Sequence, residues 1–138
     1  MNTADELIGQ LVLIHPDLNT DPARKAGQVG IITGAELENE MVYVGFGRNG
    51  HSTYGTDAVL LLQPNEQIRQ NLREQFTELS VNDYKSLFQI SLLQELKPST
   101  ANIKTAMSLA LQSEAVRNNS MRSVEDALGL RRDQYLER

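Results

Sequence analysis

Apolar positions change their spacing once along this chain, near Pro64. Ahead of it they come in short runs of strand type. Leu11-Val12-Leu13-Ile14 ends at His15-Pro16, where proline has no N–H with which to continue a ladder. Val29-Gly30-Ile31-Ile32 follows between Gly27 and Gly34, and then Met41 to Phe46, rich in β-branched and aromatic types. Val42, Val44 and Phe46 share one side of that strand, the side expected to be buried. Gly47-Arg48-Asn49-Gly50 has the composition of a tight reversal, after which His51 to Tyr54 pairs back and Ala58 to Leu62 closes the set. Five short strands with glycine-marked turns predict a small barrel or rolled sheet.

Beyond Pro64 the period is helical. Ile68, Leu72, Phe76 and Leu79 define one helix, and Ser80-Val81-Asn82-Asp83 has the form of a capping box before a stripe of Tyr84, Leu87, Phe88, Leu92 and Leu96. Lys97-Pro98-Ser99-Thr100 stops that helix and starts another, with Ile103, Ala106, Met107, Ala110 and Leu111 on its apolar face. Asn118-Asn119-Ser120 is expected to break it. Ser123 then caps a last short helix carrying Val124, Ala127 and Leu128, which Gly129 ends or kinks. The expected class is α+β, with a five-stranded barrel in residues 1–63 and a lobe of three to four helices in residues 64–138. The stripes Ile68/Leu72/Phe76 and Leu87/Phe88/Leu92 are read as core that covers the sheet, because a chain of 138 residues needs that burial to offset its conformational entropy. Ile103 to Leu111 is read as core too, with a homodimer seam as the alternative.

Composition narrows the chemistry. The chain has no cysteine, which excludes a disulfide framework, a thiolate metal site and a cysteine nucleophile. Its longest apolar run, Ala58 to Leu62, is far short of the ~20 residues of a membrane span. Met1 to Gln10 holds two acids and no Lys or Arg, so no secretory or transit peptide is expected and a cytoplasmic location is. Net charge is −5, and it is unevenly placed: residues 1–64 carry three basic against eight acidic residues, residues 65–138 ten against ten. The whole excess is on the β half.

Gly27-Gln28-Val29-Gly30-Ile31-Ile32, then Met41 to Phe46 and Asp57-Ala58-Val59-Leu60, resemble the SH3-like small barrels, including the KOW type, over roughly residues 8–63. In such barrels a glycine and a valine open the second strand and a short last strand follows a turn. The resemblance implies a five-stranded barrel that binds peptides, RNA or other proteins through its loops. It carries over no binding residue. An aromatic-lined peptide groove is not visible with only Tyr43, Phe46 and Tyr54 in this half, and the basic loops of RNA-binding members are missing.

Four segments imitate chemical motifs. Gly45-Phe46-Gly47-Arg48-Asn49-Gly50 matches G-x-G-x-x-G, but a dinucleotide site needs a helix to follow, and His51-Ser52-Thr53-Tyr54-Gly55 has strand composition; a hairpin is expected. Gly50-His51-Ser52 starts like a nucleophile elbow, yet Tyr54 stands where the second glycine is required. Asp17-Leu18-Asn19-Thr20-Asp21 copies the first ligand spacing of a calcium loop, with Pro22 and Gln28 at the positions that demand glycine and glutamate. Ala127 to Arg132 resembles the turn of a helix-turn-helix unit, but Arg117 to Arg138 holds five arginines against four acids, a thin margin for neutralising phosphates. His15 and His51 have no ligand spacing.

The expectation is therefore a non-enzymatic protein-binding or assembly module, acting on a protein partner or on another copy of itself. The alternative is a nucleic-acid-associated protein that uses the KOW-like barrel or the C-terminal arginines, a reading the charge disfavours. No catalytic residue, cofactor or metal ligand is named. The candidate partner contacts are Glu36, Glu38 and Glu40, an acidic rim that attracts a basic surface, together with Arg131 and Arg132.

Overall fold

Segments of period two pair and segments of period 3.6 coil, and the computed structural model is accordingly α+β. It describes residues 3–18, 21, 24–96 and 99–129. A short helix α1 (Thr3–Leu7) precedes β1 (Leu11–Ile14), β2 (Val29–Glu36), β3 (Met41–Gly45), β4 (His51–Gly55) and β5 (Val59–Leu62). Then come α2 (Asn65–Glu74), α3 (Val81–Glu95), α4 (Thr100–Ala110), α5 (Glu114–Ser120), β6 (Met121–Ser123) and α6 (Val124–Leu128). One sheet has the order β4-β3-β2-β1-β5-β6. The strands β1 to β4 run as an antiparallel meander, and β5 returns beside β1 with Leu13 opposite Leu60. Among the described residues the sheet holds six strands and not five, because residues 121–123, too short and too polar to read as a strand, add an edge next to β5.

Two compact units divide the chain. One comprises the chain up to Leu61 and resumes at Arg122; the other is Leu62–Met121. In the first unit Val12, Ile14, Ile32, Val42, Val44, Val59 and Leu61 form the core with Leu7, Tyr54 and Ala58, and Val124 of α6 completes it. Val42 and Val44 are fully buried, as the alternation predicts, and Phe46 packs partly buried on the same cluster. β2 bends through a bulge between Ile32 and Gly34, which raises its twist and lets one strand serve a curved sheet.

The second unit is helical. Serine hydroxyls accept from the amide three residues on at three of its helix starts, Ser80 from Asp83, Ser99 from Asn102 and Ser113 from Val116. Its core holds Ile68 and Leu72 of α2, Leu87 and Ile90 of α3, Ala106, Met107 and Ala110 of α4, and Val116 of α5. That burial makes the Ile103–Leu111 face core in its centre and removes it as a dimer seam. Asn118-Asn119-Ser120 does not break a helix; it is the last turn of α5, whose start at Ser113 was concealed by the apolar run before it. The described residues after 64 thus hold five helices instead of three to four, the fifth (α6) belonging to the first unit.

Candidate functional site

The residues flagged in sequence are scattered. Glu36 ends β2, Glu38 lies in a 3-10 turn (Leu37–Asn39) and Glu40 caps that turn in the left-handed region at φ 57°; all three are exposed. The Tyr43 hydroxyl and, at 3.1 Å, Asn39 Nδ2 hold the Glu36 carboxyl below the usual carboxylate range. They do not form a converging acid pair. Arg131 and Arg132 lie outside the described residues, as do Asn19, Thr20 and Pro22 of the calcium-like segment.

The other motif-shaped segments resolve into framework. Gly45 to Gly50 is the reversal between β3 and β4, with the Phe46 amide donating to the Gly50 carbonyl at 2.7 Å and a 3-10 turn at Gly47–Asn49. Ser52 is then on β4, opposite Val44. His15 Nδ1 accepts from the Asp17 amide at 3.1 Å, which orders the start of the long β1–β2 connection. Asp21 accepts from the Tyr54 hydroxyl at 3.1 Å and from the Lys25 amide at 2.7 Å, tying that connection to β4. Burial, and then the Asp21 carboxylate, push the Tyr54 phenol up to about 12. Among the described residues no three His, Asp or Glu side chains group as a metal ion requires.

What does converge is an apolar face on the helical unit. The start of α3 is set by the Ser80 cap, and its length by Lys97-Pro98 in the sequence. Its apolar residues cover too wide an arc for one neighbour: Leu87 and Leu92 are five residues apart, about 140° around the axis at 3.6 residues per turn. Leu87, Ile90 and Ser91 take the buried side. The other side is left out, with Val81 71% exposed, Phe88 47%, Leu92 40% and Leu96 59%, and Phe76 before the helix 64%. Reading Phe76, Phe88 and Leu92 as core is therefore corrected by the structure: on α3 the core-facing side is filled by Leu87 and Ser91, one position from Phe88 and Leu92, and Phe76 lies past the end of α2. The arc width is the signal in the sequence that α3 has two apolar sides, though not of which one its own unit covers.

Two side-chain links set how α2 lies against this face. Arg69 of α2 pairs with Glu95 at the far end of α3, and Phe76 meets Tyr84 edge to face with ring centroids 5.6 Å apart. Arg73, one turn on from Arg69, is exposed. Lys85, Gln89 and Glu95 are the exposed polar residues of α3 that flank the apolar line. The result is a stripe about four turns long, apolar along its middle and charged at its rims. Such a surface offers a seat for an amphipathic helix, and contiguous exposed apolar area of this kind is what interaction sites are made of.

A polar bracket fixes α2 against α5. Buried Gln63 donates to the carbonyls of Met121 at 2.8 Å and Asn118 at 3.2 Å, while its own carbonyl accepts from Gln94 at 3.1 Å. Asn71 donates to the Asn119 carbonyl at 3.0 Å and to Gln63 at 3.3 Å. With each partner satisfied, the bracket is structural and holds the exposed face on a rigid support. Comparison with family models, curated proteins and solved structures finds no match to this chain. Among the described residues no helix is long and apolar enough to cross a membrane.

Proposed function

We propose that this chain is a non-enzymatic protein-interaction module, in which an SH3-like sheet unit is joined to a helical unit that presents the binding face. One observation carries the reading: α3 buries one apolar side in its own unit and leaves a second, Val81/Phe88/Leu92/Leu96, in water beside Phe76. Keeping that much apolar area wet weakens solubility and adds nothing to the fold, so a partner that covers it is the economical explanation. The SH3-like description is supported by a second strand that opens with Val29-Gly30 and a four-residue β5 that follows the Thr56–Ala58 turn and returns to β1. The test compares wild-type chain with Leu92→Asp as bait against a lysate of the source cells, alongside light scattering. A protein partner or a second copy bound by wild type and lost by the variant is expected. A strict monomer that retains nothing through this face ends the reading.

A further inference from the structure

We infer that the partner on the α3 face is a second copy of this chain, docked antiparallel along the outer side of α3 about a two-fold axis between Phe88 and Leu92, at the level of residue 90; this rests on the interaction reading above and names its occupant. The argument is self-complementarity. In an antiparallel pairing centred on residue 90, each position faces the one for which the two numbers add to 180. Phe88 then faces Leu92, and Tyr84 faces Leu96, so the large apolar side chains of each copy meet those of the other. The same register sets Lys85 against Glu95, both exposed and on opposite sides of the centre of α3. A two-fold interface requires that i meeting j also means j meeting i, and this helix satisfies that for both its apolar and its charged positions.

Shifting the register by one turn still brings apolar residues together but loses the opposition of Lys85 and Glu95. Centring on residue 88 places Phe88 against itself and Lys85 against Ser91, whose hydroxyl is buried and committed to Asn65 at 2.7 Å. A parallel pairing opposes Lys85 to Lys85 and Glu95 to Glu95, which is repulsive at both ends. The antiparallel register also leaves the Arg69–Glu95 link intact, since a carboxylate has acceptor capacity for a second cation. Phe76 and Val81 lie beyond the matched pairs and extend the covered area at either end. A single pair of helices buries less than a standard interface, so the dimer is a weak one that fills with concentration.

The absence of cysteine makes the register directly testable. Lys85→Cys and Glu95→Cys are prepared separately; neither changes an apolar residue, and because Glu95→Cys gives up the pair with Arg69, helical circular dichroism equal to wild type is required of both. On mild oxidation the mixture of the two is expected to form a cross-linked dimer, while either alone forms little, because the register holds 85 far from 85 and 95 far from 95. In parallel, light scattering on wild type is expected to show mass rising toward two copies with concentration, and Leu92→Asp to hold it at one with unchanged helical circular dichroism. Equal cross-linking of single variants and mixture, or a wild-type mass of one copy at every concentration, overturns the dimer. If that monomer still captures another protein through Leu92, the interaction reading survives without self-association; if it captures none, both fall together.

Discussion

Backbone proximity makes some single atoms decisive. At Gly30 a Cβ would stand 2.5 Å from Val44 Cγ1, 2.8 Å from Phe46 Cε1 and 2.9 Å from the Gly45 carbonyl oxygen, so β2 approaches β3 only because that carbon is missing. Gly30→Ala is expected to cost about 1–3 kcal/mol through overpacking, read as a lower denaturant midpoint. Gly45→Ala is the control, because its Cβ meets the exposed Thr33 methyl at 3.2 Å and that side chain can give way. Tyr54 gives a pH signature in the same unit. Its folded pKa, about 12, stands above the ordinary 10.0, so the stabilisation is complete below pH 10 and is lost as pH rises through 12. An alkaline titration followed by tyrosinate absorbance is expected to lose its last step in Tyr54→Phe. That variant should also flatten the fall of stability in that window, and an unchanged titration would remove the Tyr54–Asp21 link.

Among the elements, α3 separates what a pattern can say from what packing decides. Its start was legible, because a serine three residues ahead of Asp83 can only help a helix by accepting that amide. Gly129 was legible as a stop for the same local reason, and it takes φ 70° after α6. The strands were legible by alternation, Val42 and Val44 above all. Which apolar side of α3 would be covered was not, since that depends on where α2, α4 and α5 lie, and spacing within one helix carries no such information. Nor was β6, whose Met121-Arg122-Ser123 has no period to read and pairs only because β5 offers an edge. The acidic rim at Glu36, Glu38 and Glu40 was legible as exposed charge, but nothing in the alternation of three glutamates tells whether a partner uses it. A pair of substitutions measures the division within α3. Leu87→Ala is expected to destabilise by about 2–5 kcal/mol as a core truncation, whereas Leu92→Ala, on the outer side, stays within about 0.5 kcal/mol. Thermal melts at a concentration low enough to keep the chain monomeric check both, and comparable losses would mean that Leu92 is core after all.

The molecule as a whole is organised by a chain that leaves one unit and comes back to it. β5 exits through Leu62 into the helices, and the return at Arg122 supplies the first unit with an edge strand and with α6. Val124 is fully buried in that unit's core, and the Glu125 amide donates to the Thr56 carbonyl at 3.0 Å, so the sheet unit is incomplete without residues that follow the helices. The Gln63–Asn71 bracket of the helical unit is drawn from Leu62–Met121. Val124→Asp places an unpaired charge in the first core and is expected to cost more than about 3 kcal/mol there. Amide hydrogen exchange should then show lost protection in β1, β2, β3 and β5 while α2 to α5 keep theirs, since no residue of the helical core is changed. Uniform loss across both would show that the units unfold as one. Selective loss would also leave the outer side of α3 in place, so self-association should survive in Val124→Asp even as the sheet opens, and its disappearance would tie the dimer to the first unit instead.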